Sequence, residues 1–190
     1  GSTGKITGQR GEVGKLLAPY PIRTTTITWT SEDVSGNKKT FTQTIKVTDT
    51  QNPVVTCPYS GNVNRNTDGG KCSYKAKKEF NATATDNCSI ASLTYTLSGT
   101  TSGSGTSLEN VTFNKGITHV TWTAVDASGH SVNCSFDVTV IDNIKPAINC
   151  PASYTTCKKS GSYTIPTPTV SDNCGIPSVS FQVTGATRRG

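Results

Sequence analysis

The sequence is poor in the residue types that most often perform catalysis or bind metal. It has no methionine, two histidines, and seven cysteines without a Cys-x-x-Cys pair. His119 and His130 do not stand at zinc-site spacing from the cysteines. No Ser–His–Asp or paired-carboxylate arrangement can be singled out either. We therefore expect no catalytic residues, no cofactor and no enzymatic activity.

Long apolar runs and a high charge content are also missing. No run is long enough to cross a membrane, and charged residues make up only 16% of the chain, unlike acidic or basic disordered segments. The net charge of +6 lies partly before Arg23, partly in the lysines of 71–78 and partly at Arg188 and Arg189. Such lysines usually form a solvated face or protect a strand edge. An anionic glycan is the second interpretation, and nucleic acid is disfavoured because no aromatic residues are interleaved.

The feature that is present is an internal repeat. Residues 29–57 and 122–150 share one pattern at a constant offset (122 − 29 = 93). The matched positions include tryptophan, aspartate, glycine, valine, proline and cysteine, at Trp29/Trp122, Asp33/Asp126, Gly36/Gly129, Val47/Val140, Asp49/Asp142, Pro53/Pro146 and Cys57/Cys150. A fixed period of this size predicts an array of similar modules rather than one globule with one active site.

Alternation of apolar and polar residues predicts an all-β fold. Residues 117–125 and 131–141 alternate in this way on either side of a turn at 126–130, which indicates a β-hairpin with one buried face. The first copy repeats the hairpin, with Trp29 and Phe41 expected to face inward. Shorter strands are expected at Val54–Cys57, Cys72–Phe80, Leu93–Leu97 and Val111–Phe113. No stretch has sustained helical periodicity.

The repeat also sets the predicted domain boundaries. Residues 50–143 form one complete module, residues 1–49 the C-terminal half of a preceding module, and residues 144–190 the N-terminal half of a following one. The links at 49–53 and 142–146 each end in a proline, which is tolerated at the start of a strand and stiffens a joint. The chain has neither a starting methionine nor a signal peptide, so we expect a mature piece or an excised fragment.

An ordered set of motifs resembles the hyalin repeat (HYR) family of extracellular immunoglobulin-like modules. The motifs cover most of the chain and are Pro53-x-x-x-Cys57-Pro58, Thr85-Asp86-Asn87-Cys88, residues 113–120, Trp122 to Asp126, Ser128-Gly129 and Cys134-Ser135-Phe136, with Cys150-Pro151 and Ser171-Asp172-Asn173-Cys174 in the last part. The resemblance implies tandem immunoglobulin-like β-sandwiches in extracellular adhesion or surface architecture, without enzymatic activity. The composition rich in Thr, Asn and Gly is more similar to large repeat adhesins of bacterial cell surfaces than to animal modules.

The cysteines are expected to form disulfides in an oxidising, extracellular or cell-surface location. The family resemblance implies a bridge between Cys57 and Cys134. The spacing of Cys72 to Cys88 (88 − 72 = 16) nearly equals that of Cys157 to Cys174 (174 − 157 = 17), which argues for a repeated second bridge. Cys150 is expected to be unpaired in this chain, because its partner should lie in a C-terminal half-module that the chain does not contain. The half-module that is present carries Phe41 at the position that aligns with Cys134 (41 + 93 = 134).

Acidic residues gather near the turns and links. Asp33, Asp49, Asp86, Asp126, Asp142 and Asn143 belong to this group. Calcium favours several oxygen ligands, so a calcium site is one interpretation. The favoured interpretation is that each Asp-x-x-Gly turn binds its own backbone.

The predicted halves at the two ends leave the mode of assembly open. Either the chain is a window from a longer covalent array, which we favour, or it is a filament subunit whose halves complement head to tail. The expected partners are therefore neighbouring copies or modules of the same protein, with surface glycans as a further possibility. A glycan-binding accessory module of a secreted enzyme is the alternative function.

Overall fold

The protein is represented by a computed structural model that describes residues 20–153 and 165–184. Residues 1–19, Cys157, Arg188 and Arg189 lie outside the described residues. The chain divides into two compact units, Gly1–Thr50 and Gln51–Gly190. In chain order the strands are β1 Thr24–Glu32, β2 Lys38–Lys46, β3 Val54–Thr56, β4 Gly61–Asn66, β5 Ser73–Lys75, β6 Thr83–Thr85, β7 Ile90–Gly99, β8 Gly103–Gly105, β9 Thr112–Asn114, β10 Gly116–Asp126, β11 Ser131–Ile141, β12 Ala147–Asn149 and β13 Thr169–Ser171. One turn of 3-10 helix spans Lys78–Phe80.

The fold is all-β, as the alternating pattern predicts. In the first unit, β1 and β2 form an antiparallel hairpin in which Trp29 lies opposite Phe41. Cross-strand partners share a face, so one face carries Ile27, Trp29, Phe41 and Ile45. The other face is threonine-rich. β-Branched threonine suits an exposed strand face, which explains why this side needs no cover.

The second unit contains a five-stranded sheet in the order β4-β11-β10-β7-β8. Strands β10 and β11 form the long central hairpin, with Trp122 opposite Cys134. Strand β7 pairs antiparallel with the other edge of β10, whereas β4 pairs parallel with β11. The predicted central hairpin is therefore confirmed.

Two short strand pairs, β3–β6 and β5–β9, lie against this sheet and complete an immunoglobulin-like β-sandwich. Alternate residues of β10 and β11 point into the gap, where Val120, Trp122, Phe136 and Val138 are buried. The opposite layer contributes further buried side chains, Ala76, Phe80, Ala82, Leu108 and Phe113. Burial of this contiguous apolar surface is the main stabilising contribution to the sandwich.

Beyond the sandwich, strands β12 and β13 repeat a pair from within it. Ile148 lies opposite Val170 in β12–β13, and Val55 lies opposite Ala84 in β3–β6. The offsets are 93 on one strand and 86 on the other (148 − 55 and 170 − 84), and they hold for all three residue pairs. Residues after 146 therefore begin the same strand pairing again.

Strands β4, β6, β8 and β13 were not predicted from sequence, and β4 and β8 show the reason best. Strand β4 is polar, Gly-Asn-Val-Asn-Arg-Asn, and shows too little apolar alternation to be recognised. Strand β8 lies within the Ser/Gly/Thr-rich stretch 98–106, a composition typical of an exposed connection, yet it pairs with β7. Both are edge strands, where pairing to a neighbour decides the conformation more than composition does. Among the described residues, no helix is long and apolar enough to cross a membrane.

Candidate assembly site

The turn between β10 and β11 is built around the buried side chain of Asp126. The backbone N–H groups of Ser128 and His130 donate to Asp126 Oδ1 at 2.8 and 2.9 Å. Asp126 Oδ2 lies 2.7 Å from His130 Nδ1. Gly129 adopts a φ of 95°, a conformation that a side chain would strain. The carboxylate therefore stabilises its own turn.

The hairpin β1–β2 closes with the same construction. Asp33 Oδ1 accepts from the backbone N–H groups of Ser35 and Asn37, each at 2.9 Å. Asn37 Nδ2 donates to Asp33 Oδ2 at 2.8 Å, in the place that His130 occupies in the other copy. The prediction that these aspartates serve their own turns is confirmed for Asp33 and Asp126.

Hydrogen bonding lowers the pKa of both turn carboxyls. For Asp33 the Asn37 side chain is the main cause, followed by the Asn37 backbone. For Asp126, burial by itself raises the pKa, but the hydrogen bonds from the side chain and backbone of His130 outweigh it, and the pKa lies below its ordinary value. Both groups therefore favour the charged form in the fold.

The other acidic residues at the links are also engaged locally. Asp86 Oδ2 accepts from the backbone N–H of Cys88 at 2.8 Å. Asp142 Oδ1 accepts from the backbone N–H of Ile144 at 3.1 Å, and its other oxygen lies 3.6 Å from Lys115 Nζ. These contacts give the carboxylates a role in shaping the turns and the link.

Cys57 and Cys134 are joined by a disulfide, the pair that the family resemblance implies. The bond connects the segment after β3 to the centre of β11 across a sequence separation of 77. It therefore ties the two layers of the sandwich together. Cys150 is exposed and forms no disulfide with any described residue.

The second disulfide differs from the sequence-based expectation. Cys72 bonds to Cys174, at a sequence separation of 102, and not to Cys88. The reason is spatial: the turn at Asp172–Cys174 lies against the loop before β5, where Asn173 Nδ2 donates to the Lys71 carbonyl at 2.8 Å. The nearly equal spacings along the sequence predicted a bridge within each module. The structure instead links residue 174, which follows the complete sandwich, back to that sandwich.

Two apolar faces remain exposed. Trp29 is 44% exposed and Phe41 70% exposed, so the expectation that they face inward is not met in this chain. Trp122, at the equivalent position, is fully buried. Among the described residues of the first unit no second sheet covers the hairpin face. The last segment is similarly open, with Ile148, Val179, Phe181 and Val183 exposed.

Sequence reasoning missed a cation–aromatic cluster at Arg65. The guanidinium carbon lies 5.1 Å from the ring centre of Phe80, 5.5 Å from Tyr59 and 6.0 Å from Tyr74. The same group donates to Tyr59 Oη at 2.8 Å and to Glu79 Oε1 at 3.1 Å. Burial is the first cause that raises the pKa of Tyr59. The residues of this cluster are spread over 59–80 and form no recognisable motif. Only the distances in the structure show that they meet.

These features define a class of protein: an all-β, immunoglobulin-like module that is cross-linked by disulfides and whose strand pairings recur along the chain. Residues 48–140 match the HYR domain family. This part of the chain is therefore an HYR domain, a type that is not a known enzyme family.

The relatives with similar sequences are animal hyalins. The chain is 32% identical to hyalin of Lytechinus variegatus over 178 residues, covering 89% of this chain and 31% of that protein. It is 33% identical to hyalin of Strongylocentrotus purpuratus over 154 residues, covering 78% of this chain and 12% of that protein. The chain thus spans less than a third of either relative. These relatives do not support the expected similarity to bacterial adhesins.

Among solved structures, the human desmocollin-1 ectodomain is similar over 72% of this chain and 30% of that chain. The TM-score is 0.25 and the sequence identity 17%, values too low to support any argument about fold or function.

Proposed function

We propose that the protein is a non-catalytic, extracellular structural and adhesive repeat protein in which neighbouring modules cover the exposed apolar faces of β1–β2 and β12–β13. Its HYR domain and its similarity to hyalins support the adhesive class. Two disulfides support an oxidising extracellular or cell-surface location. The observation that carries the proposal is that β1–β2 and β12–β13 reproduce strand pairings of the sandwich, yet Trp29, Phe41 and Ile148 on these strands are exposed.

The sandwich of the second unit shows how strand pairs of these two kinds pack together. In it, the apolar face of the β10–β11 hairpin is covered by the layer that contains β3–β6. The hairpin β1–β2 presents the equivalent face without that layer, and β12–β13 is the equivalent of that layer without a hairpin. An exposed apolar face of this kind is costly to a small sheet in water. We therefore propose that a β1–β2 hairpin and a β12–β13 pair from neighbouring modules cover each other.

Cysteine substitution provides a direct test, since Cys150 and Phe41 stand where Cys57 and Cys134 stand in the complete sandwich. Phe41→Cys should bond to Cys150 of the next copy and give a ladder of multimers on a non-reducing gel. The double variant with Cys150→Ser should abolish the ladder, and Phe41→Ser should form none. A Phe41→Cys protein that stays monomeric while the native protein polymerises would refute this mode of completion.

The neighbour can belong to a longer covalent array or to a second chain of a filament. Intact mass of the native protein under denaturing, non-reducing conditions separates the two. A discrete species of the present length that polymerises when native indicates a filament subunit, in which the interface is heterologous and open. A much longer polypeptide indicates a covalent array.

A glycan-binding module is the second candidate function. The observation that favours it is the exposed pair Trp29 and Phe41, whose aromatic faces offer large apolar contact areas. A glycan-array screen of the whole chain tests it. Specific binding that is lost in both Trp29→Ala and Phe41→Ala, by a native protein that does not self-associate, would favour this function over completion by a neighbour.

A further inference from the structure

We infer that the loop 67–72 of each HYR module is a docking surface for the Asp-Asn-Cys turn of the module that follows. Residues 67–72 lie within the sandwich, whereas Asp172, Asn173 and Cys174 lie beyond it. The partner that fits this surface is therefore another repeat of the same kind. The inference rests on the proposed function, because it treats the contacts as a junction between consecutive modules of an array. The contacts themselves lie within one chain and need no second chain.

The surface is pre-shaped by its own hydrogen bonds. The backbone N–H of Lys71 donates to the Asp68 carbonyl at 3.0 Å, and the Asp68 N–H donates to the Ser73 carbonyl at 2.7 Å. The backbone N–H of Lys75 donates to Asp68 Oδ2 at 2.8 Å. Asp68 thus holds the loop in one conformation and leaves the carbonyl of Lys71 turned outward as an acceptor.

The incoming turn is pre-shaped as well. The backbone N–H of Cys174 donates to Asp172 Oδ2 at 2.8 Å. The turn at Asp86–Cys88 has the same contact at the same distance. The two turns at Asp86–Cys88 and Asp172–Cys174 therefore have the same internal contact.

Asn173 is the residue that fits the turn to the surface. Its Nδ2 donates to the Lys71 carbonyl at 2.8 Å, and Asp142 Oδ1 and Thr67 Oγ1 lie at 3.4 and 3.5 Å from the same atom. Asn173 and Cys174 are half-buried, whereas Gly175 and Ile176 beside them are exposed. A small amide with two donor hydrogens can serve several acceptors at this point, which an apolar residue could not.

The disulfide and the link at 142–146 also attach the turn to the sandwich. Cys72 is bonded to Cys174, and the backbone N–H of Lys115 donates to the Cys72 carbonyl at 3.3 Å. Lys115 Nζ also lies 3.6 Å from Asp142 of the link. The turn is thus held by the Cys72–Cys174 disulfide and by the hydrogen bond from Asn173 to the Lys71 carbonyl, and the link is held by the contact between Lys115 and Asp142. The adjacent contacts of Asn173 and Cys174 hold the turn and the Lys115–Asp142 contact holds the link, so we expect little pivoting between the turn and the sandwich.

Peptide mapping of the unreduced full chain tests the covalent part. Trypsin releases Cys72 in the four-residue peptide 72–75, Cys174 in 160–188 and Cys88 in 79–115, so each pairing has its own mass. Digestion should be done at acidic to neutral pH to suppress disulfide exchange. We expect 72–75 linked to 160–188. Linkage of 72–75 to 79–115 would overturn the inference.

Hydrogen exchange of the full chain tests the stiffness. Cys174→Ser should raise amide exchange at 142–149 and 67–72 by about tenfold or more. Without the covalent link, these segments gain conformational freedom on local opening, so they open more often. Asn173→Ala should give a smaller rise at the same segments with the disulfide intact. Cys150→Ser is the matched control and should change neither segment. Unchanged exchange in Cys174→Ser would overturn the inference, whereas failure of the Phe41→Cys ladder would bear only on completion by a neighbour.

Discussion

Trp29 and Phe41 are direct cross-strand partners on one face of the first hairpin, in the register in which Trp122 and Cys134 pair in the complete sandwich. The environment of the two tryptophans differs sharply, since Trp122 is fully buried and Trp29 is 44% exposed. Identical pairing with opposite burial shows that the hairpin forms locally, whereas its burial depends on a second layer of strands.

Truncating the two tryptophans should therefore have unequal effects on stability. Trp122→Ala removes a side chain that packs edge-on against Tyr95 in the core, and we expect a loss of about 3–5 kcal/mol in the free energy of unfolding. Trp29→Ala should cost about 1 kcal/mol or less in the monomer, the size of a cross-strand contact. Urea denaturation followed by circular dichroism measures both.

The same pair of variants separates folding from assembly. If the hairpin face is an assembly surface, Trp29→Ala should weaken self-association in analytical ultracentrifugation although the sandwich remains stable. Equal losses of stability in Trp29→Ala and Trp122→Ala would mean that Trp29 is part of a core within the monomer.

The bridge between Cys57 and Cys134 should be a major stabilising feature. Replacing both cysteines by serine should lower the free energy of unfolding by about 2–5 kcal/mol, because the unfolded chain gains the freedom that the closed loop removed. Denaturant unfolding under non-reducing conditions gives the value. Cys150→Ser is the control and should leave the stability unchanged. A double variant as stable as the native protein would contradict a structural role for this bond.

The strands with strong alternation and the Asp-x-x-Gly turns could be predicted from sequence because their signals are local. The hairpin at 116–141 follows from its period-two pattern, and Asp126 follows from the common turn chemistry. Strand β4 was not predictable, because a polar edge strand is fixed by its neighbour β11 rather than by its own composition.

The second disulfide could not be predicted for a related reason. Cys72 and Cys88 are close in sequence, but bonding is decided by which sulfur atoms meet in space. The turn of Asn173 and Cys174 meets the loop of Cys72 through contacts between segments about 100 residues apart. The burial of Trp29 likewise depends on strands that its own hairpin does not contain.

The Arg65 cluster should stabilise the open edge of the sandwich. Arg65→Ala removes the contacts with Tyr59, Phe80 and Glu79, and we expect a loss of about 1–2 kcal/mol in the free energy of unfolding. Arg65→Lys should recover only part of it, since an ammonium group cannot stack as a planar guanidinium does. The exposed Lys77 offers a control, and Lys77→Ala should have no effect in thermal unfolding. Equal melting temperatures for Arg65→Ala and Lys77→Ala would show that the cluster contributes nothing.

The buried turn carboxylate of Asp126 should give the sandwich an acid-dependent stability. Because the pKa of Asp126 lies below its ordinary value of 3.8 in the fold, the charged form stabilises the folded state. This contribution is fully present above about pH 4 and is lost as the pH falls through the lower folded pKa. Asp126→Asn lacks the titrating group, so its stability deficit relative to the native protein should be largest near neutral pH and should shrink towards pH 2.

Melting temperatures of the native protein and Asp126→Asn between pH 2 and pH 7 measure this difference. Asp33→Asn is the control, because its turn belongs to the other compact unit and should leave the melting of the sandwich unchanged. A deficit in Asp126→Asn that stays constant or grows in acid would contradict the assignment. The retained carbonyl oxygen of asparagine can still accept from Ser128 and His130, so the pH-dependent part of the deficit reports the charge and not the turn geometry.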